Sequence, residues 1–308
     1  MTGSLAVPGD RAGMGIGLIV LAVFLMSIQE SLFKLFSAEL SLWQIFTLRG
    51  LIAVPLLALL AALGSWHAAI WREAARPAVL ARSFIMTLMF LAMYAAIPVL
   101  NLSTAAAGIY TAPLFVVLMS SYLLREPVSA RGWFAVAIGF TGVLLVLQPG
   151  ADAFTAWAIL PLFGGFCYAL ANVTTRRHCR DLSPASLSLS LNVALLLTGV
   201  ALTLLVLAWR ASAEWLATYP YLFDVWSPIG KREWVLIVCL AILVVVIGMA
   251  LAAAYQRAPA ARVAAFDYSY LVFVAIWDIV IFETIPDLLT MGGIGLIVAA
   301  GFLAVRAR

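Results

Sequence analysis

Charged side chains make up only 10% of this 308-residue sequence, against 65% hydrophobic residues. A soluble domain carries about 25% charged and 45–50% apolar residues, so a water-surrounded globule is excluded and an integral membrane protein is expected. Cysteine is nearly absent. Cys167, Cys179 and Cys239 are odd in number and form no C-x-x-C pair, which argues against a disulfide framework and a structural zinc site. The two histidines, His67 and His178, fall in connectors, so neither a metal nor any other cofactor is expected. No G-x-x-x-x-G-K-[ST] and no H-E-x-x-H occurs, which removes ATP hydrolysis within the chain and zinc proteolysis. The net charge of +4 is no nucleic-acid signal, because the basic residues gather in short membrane-flanking connectors.

What is present in abundance is long apolar runs. Ten can be marked, at 14–36, 41–63, 80–98, 103–124, 132–148, 155–175, 185–209, 233–255, 261–282 and 288–305. A helix needs roughly 20 residues to cross a hydrocarbon core of about 30 Å, and these runs have that length. They lack the alternation of barrel strands, so the expected fold is an all-α integral membrane protein. The first run is too long for a signal-peptide core and is read as a retained helix. The longest connector, 210–232, carries Trp215, Tyr219, Tyr221, Phe223 and Trp226. It reads as a segment lying at the membrane–water interface, or as a partial lid.

Basic residues set the orientation. With the N-terminus in the cytoplasm, Arg11, Arg72, Arg76, Arg82, Arg125, Arg131, Arg176, Arg177, Arg180, Arg257, Arg262, Arg306 and Arg308 collect on the cytoplasmic side, and an even number of spans returns the C-terminus there. The chain also repeats itself. Ala112–Glu126 aligns with Ser269–Glu283, and each segment is soon followed by a glycine-bearing apolar run. The first corner, Arg125-Glu126-Pro127, is flanked by arginine and faces inward; the second, Glu283 to Asp287, has no base and faces outward. A weaker match sets Ser41 on Ser183 and Lys34 on Arg176. The expected organisation is therefore ten transmembrane helices as two inverted five-helix repeats. Residues 1–13 form a cytoplasmic tail, 14–148 the first repeat, 149–154 a linker, 155–305 the second repeat and 306–308 a C-terminal tail.

The pattern Y-x-A-P-L-F, L-L-x-E-P and G-x-x-G-V-L-L-V, here Tyr110 to Val146, resembles the EamA module of the drug/metabolite transporter superfamily. Tyr168 with Thr175-Arg176-Arg177 resembles the start of that family's second repeat. The resemblance covers about residues 14–305. Phe46-Thr-Leu-Arg49-Gly50 and Thr111-Ala-Pro-Leu-Phe115 are similar to carriers of S-adenosylmethionine or riboflavin type. The second copy departs from the pattern: Asp267-Tyr-Ser-Tyr270 stands where a proline-containing apolar segment is usual, and Asp278 is unusual in mid-helix. The resemblance implies a cavity between runs 1–4 and 6–9, with runs 5 and 10 at the periphery or at a homodimer interface.

Ionisable groups at membrane depth cost at least about 2.5 kcal/mol each, so those retained ask for a reason. Glu30 and Lys34 lie one turn apart on the first run, spacing that lets them pair. Arg49 sits too deep in the second run to snorkel easily, and would bind a substrate carboxylate or lock to an acid such as Glu30. Eleven residues at 100° each is close to three full turns, so Asp267 and Asp278 are expected on one face of the ninth helix, about 16 Å apart, and that face must point into the bundle. Either is a candidate proton or cation site. Tyr94, Tyr110, Tyr168, Tyr255, Tyr268, Tyr270 and Trp277 lie within runs, and several lining one cavity suit a flat or cationic solute. The candidate substrate-binding set is Glu30, Arg49, Tyr94, Tyr110, Tyr168, Asp267, Tyr270 and Trp277. Glu126 and Glu283 are expected at structural hairpin corners, hydrogen-bonding backbone there. Small residues at Ala105–Gly108 and at Gly292, Gly293 and Gly295 are read as sites of close helix approach. Pro98, Pro113, Pro161 and Pro259 are candidate kinks.

The expected function is secondary transport of a small organic metabolite across the inner membrane by alternating access, proton-coupled, by exchange or by facilitated diffusion. The solute is zwitterionic, cationic or heteroaromatic, such as an amino acid, S-adenosylmethionine or a riboflavin-like molecule; the remaining partner is the lipid bilayer, with no nucleic acid. The alternative is a polytopic intramembrane enzyme using Glu30, Asp267 and Asp278, which needs two carboxylates close enough to share a proton.

Overall fold

The computed structural model describes residues 12–36, 40–63, 67–96, 108–147, 157, 159–209, 212–282 and 288–306. The expectations for Pro98, for Ala105–Ala107, for Glu283 and for the side chains of Lys34 and Asp278 fall outside the described residues.

Among these residues the chain is helical and has no strand. The helices are α1 (Ala12–Phe36), α2 (Leu42–Leu63), α3 (His67–Ala74), α4 (Pro77–Ala96), α5 (Ala112–Met119, continued by a π-turn over Ser120–Leu124), α6 (Ala130–Leu147) and α7 (Ile159–His178). Then follow α8 (Pro184–Trp209), α9 (Ala213–Thr218), α10 (Pro220–Phe223), α11 (Lys231–Arg257), α12 (Ala260–Asp267), α13 (Ser269–Phe282) and α14 (Leu288–Arg306). Each expected run falls on a helix or, for the ninth, on the pair α12–α13. Six helical segments are long and apolar enough to cross a membrane: α1, α2, α4, α8, α11 and the α12–α13 pair. Shorter apolar helices lie at 112–124, 130–145 and 291–300.

The prolines act differently from expectation. Pro113 is the second residue of α5, Pro161 is in the first turn of α7 and Pro259 is the N-cap of α12. At a helix start the missing N–H would have had no intrahelical partner, so these prolines open helices rather than kink them. The proline inside a helix is Pro55 of α2, on its exposed face. The ninth run is not one continuous helix. A one-residue turn at Tyr268, with φ −59 and ψ −19, separates α12 from α13 between Asp267 and Asp278 within one span.

The packing has an internal symmetry. α1 runs along α11 and α4 along α7, while α2 pairs with α8, α5 with α12, and α6 with α14. Exchanging α1, α2, α4, α5 and α6 in turn with α7, α8, α11, the α12–α13 pair and α14 maps this set of pairs onto itself. α1 also packs on α13 as α5 packs on α7, which the same exchange relates. One apolar core runs through nearly all the crossing helices, from Ile19 and Val23 through Phe46, Met86, Val116 and Ala169 to Tyr255 and Ile297. Large apolar side chains such as Leu59, Phe84, Leu204, Val280 and Phe302 point outward, as a surface in contact with acyl chains requires. Glycine sets two of the closest crossings. A β-carbon on Gly50 would sit 2.7 Å from Leu196 Cβ, and one on Gly199 would sit 2.7 Å from Thr47 Oγ1 and 2.8 Å from its backbone nitrogen.

The 212–230 connector fits the interfacial reading. Ser212 caps α9, and Trp209, Trp215, Tyr219 and Phe223 gather with Trp215–Phe223 centroids 5.3 Å apart. The segment is also fastened to α2. Trp43 Nε1 donates to Leu222 O (2.6 Å), and the Gln44 amide exchanges two bonds with the backbone of Ser227 (2.8 and 3.0 Å). The glycine crossing makes a prediction. Gly199→Leu forces α2 and α8 apart and costs about 1–3 kcal/mol, lowering the thermal midpoint of the purified protein. Gly17→Leu, with nothing within 4 Å of its added carbon, leaves the midpoint unchanged.

Candidate functional site

α1, α2, α4, α7 and the α12–α13 pair each bring polar or aromatic side chains to one region, and the unwound turn before α5 adds another. Tyr110 lies in that turn, where Thr111 bonds back to Gly108 O (2.7 Å) and Pro113 starts the helix. Its ring stacks on Tyr270 with centroids 5.1 Å apart and planes at 30°. The Tyr270 hydroxyl donates to Glu30 Oε2 on α1. Glu30 itself is exposed, whereas Tyr270 is buried, so the carboxylate faces open space from a packed wall.

A second carboxylate stands on the other side of the same wall. Asp267 ends α12, buried, and accepts a long hydrogen bond from the Tyr168 hydroxyl of α7 at 3.4 Å. Tyr110 lies within electrostatic reach of Glu30, Asp267 and Tyr168 together. The break at Tyr268 separates Asp267 from Tyr270 and so lets neighbouring residues serve two different carboxylates. Two further hydroxyls, of the fully buried Tyr255 and Tyr268, have no hydrogen-bond partner among the described residues. Trp277 joins α13 to α1 through Nε1 to Ser27 Oγ (2.8 Å), with Phe24 between it and Phe273.

Arg49 and Tyr94 form the other flank. Phe46, Phe90 and Tyr94 make an aromatic wall, with Phe46–Tyr94 centroids 5.8 Å apart and Phe90–Tyr94 stacked at 6.1 Å. The Arg49 guanidinium carbon lies 5.4 Å from the Phe46 centroid. Arg49 is 3% exposed, and its Nη2 has no hydrogen-bond partner among the described residues. Tyr94 is within electrostatic reach of both Arg49 and Glu30, which ties this flank to the first. Contacts thus join Glu30, Tyr270 and Tyr110, and separately Asp267 and Tyr168; Arg49 and Tyr94 meet at Phe46, and Trp277 meets α1 at Ser27. Asp278 contributes its backbone to α13.

Other expectations change. Glu30 is held by Tyr270, and Arg49 sits on an aromatic face rather than on a carboxylate. Glu30 and Asp267 are bonded to different tyrosines, so the shared-proton pair an acid-catalysed enzyme needs is not assembled. Glu126 does not serve its own corner. It accepts from Arg176 Nε (2.8 Å) and from the Ala260 backbone N–H (3.1 Å), both far along the chain. Arg82, grouped above with the membrane-flanking bases, is fully buried in α4; its Nε donates to Thr175 Oγ1 (3.2 Å) and Nη1 to Leu187 O (3.3 Å). Ser27, Phe46 and Phe90 were not singled out from sequence, because a serine or phenylalanine in an apolar run is ordinary filler.

Residues 13–148 match the EamA-like transporter family. The chain carries an EamA-like transporter domain. It is 27% identical to a riboflavin transporter of Vibrio cholerae serotype O1 over 58% of this chain, a match spanning about half (54%) of that protein. It is 26% identical to the pseudopaline exporter CntI of Pseudomonas aeruginosa over 97% of this chain and 98% of that one. A solved crystal structure shares the fold at a TM-score of 0.73 and 16% identity, covering 96% of this chain and 97% of its own. These relatives are transporters rather than enzymes, and this EamA-domain chain is a multi-pass membrane protein.

A buried guanidinium without a carboxylate costs stability, and replacing it with an apolar side chain of similar length is often neutral or favourable. Arg49→Met is therefore expected to match or exceed the wild-type thermal midpoint. A clear drop would mark Arg49 as structural.

Proposed function

We propose that this EamA-domain chain is a secondary carrier of a small zwitterionic or cationic metabolite with a flat, aromatic part. It would work in the inner (plasma) membrane with both termini cytoplasmic, its ten spans forming two inverted repeats at 14–148 and 155–305. The observation that carries the reading is the joined wall Glu30–Tyr270–Tyr110 beside Asp267–Tyr168, drawn from α1, from the turn before α5, from α7 and from α12–α13. Two carboxylates offer a negative pole, Arg49, whose Nη2 has no hydrogen-bond partner among the described residues, a positive one, and aromatic rings stand beside both. A solute bearing an ammonium or sulfonium, a carboxylate and a heteroaromatic ring answers all three features. Amino acids, S-adenosylmethionine and riboflavin-like molecules fall within or near that class.

The pairing of helices across the two halves supports alternating access. A site built at the interface of two related halves is exposed to one side and then the other when the halves rock. Asp267, buried beside a tyrosine hydroxyl, is the residue we assign to proton coupling, with Asp278 as the second candidate. Protonation of Asp267 would remove its charge and allow the site to close without a bound cation; release on the other side restores it.

Uptake of labelled amino acids, S-adenosylmethionine and riboflavin into liposomes carrying the purified protein tests the reading. At least one solute should accumulate, and an imposed pH gradient should speed its entry. In Asp267→Asn the gradient should lose its effect while counterflow exchange of the same solute persists. Gradient-driven uptake that survives in both Asp267→Asn and Asp278→Asn would remove the carboxylates from coupling.

A further inference from the structure

Far from this wall, three local irregularities coincide at one corner. The last turn of the α5 span is a π-turn, Ser120–Leu124, a form that in helices is rare and often marks a functional position. Arg125 follows with φ 52 and ψ 28, a left-handed backbone that a side-chain-bearing residue adopts only under constraint. Pro127 comes next, and a residue before proline is driven to an extended conformation, which turns Glu126 away from its own helix. The strain is therefore spent on aiming one carboxylate.

Glu126 reaches into the other half of the molecule. One oxygen accepts from Arg176 Nε at the end of α7 (2.8 Å), the other from the Ala260 N–H that opens α12 (3.1 Å). Arg176 is itself buried and passes a further bond from Nη1 to Gln256 O on α11 (3.0 Å). Gln256 Nε2 in turn donates to Cys179 O (2.6 Å) and Leu182 O (2.9 Å), in the turn between α7 and α8. One carboxylate from the first half thus fastens the ends of three second-half helices. All lie at the end carrying Arg176, Arg177 and His178, opposite the end where the 212–230 segment meets α2.

We propose that Glu126 with Arg176, Gln256 and the Ala260 N–H is a latch that holds this end of the carrier closed, and that it must release for the site to open there. This rests on the alternating-access reading. The latch exchanges one strong, charge-assisted contact for water on both partners when it opens, so it is a two-state contact rather than permanent cement. The Cys179 thiol, fully buried against Val79, Leu187 and Ala252 directly behind Gln256, is a built-in reporter of that opening.

The test is maleimide labelling of the full-length protein in nanodiscs, read at Cys179 by peptide mass spectrometry. Glu126→Gln and Arg176→Gln should each raise the Cys179 labelling rate about tenfold or more, the scale of losing one hydrogen bond to a charged group. The double variant should add little to either. Ala260→Pro removes only the N–H that Glu126 accepts, at a first helical position where proline is at home, and should raise labelling by a smaller factor. Wild-type labelling rates in the folded glutamine variants would overturn the proposal. Should those variants fail to purify as monodisperse protein, Ala260→Pro decides it: a raised rate supports the latch and an unchanged rate overturns it. Labelling needs no transported solute, so failure of the carrier reading shows separately, as absent uptake in liposomes with Cys179 labelling still governed by Glu126.

Discussion

Hydrocarbon offers no water to a peptide group or to a charge, and every feature of this molecule answers to that constraint. It makes the chain helical, favours proline at helix starts such as Pro113, Pro161 and Pro259, and sets a cost on each retained ion that finds no partner inside the bundle and no opening to solvent. Three arginines show the range of solutions. Arg176 pairs with Glu126, Arg82 donates to a threonine hydroxyl and a carbonyl, and Arg49 rests on an aromatic ring with its Nη2 without a hydrogen-bond partner among the described residues. The first is satisfied by a carboxylate far along the chain, the second only in part by neutral neighbours, its Nη2 having no hydrogen-bond partner among the described residues.

The three carboxylates divide in the same way. Glu126 is fully engaged and belongs to the frame. Glu30 and Asp267 each hold a single tyrosine and keep accepting capacity in hand. A group that is only partly satisfied at membrane depth is costly unless something else visits it, and the carrier reading proposed above supplies such a visitor. The break at Tyr268 matters here, because it lets Asp267 and Tyr270 address different partners only three residues apart.

Much of this was legible from residue type. Long apolar runs announce spans because their length matches the membrane, and Glu30, Arg49 and Asp267 stand out because charge is so rare around them. Less could be read of Glu126, whose position after a left-handed residue and before proline hints at a sharp corner but not at what the corner holds. Arg82 and Arg176 look like ordinary flanking bases, since neither sequence spacing nor hydropathy reports a partner ninety residues away. Ser27 and Phe46 gave no signal at all.

Composition and run length alone determined that this chain is a helical membrane protein, because the bilayer acts on each segment separately and leaves its mark locally. Which tyrosine meets which carboxylate, where the ninth span breaks, and how Glu126 ties one half to the other were decided only in the tertiary structure. Those contacts join residues between 50 and 240 positions apart, and their partners are chosen by helix packing, which no local pattern encodes.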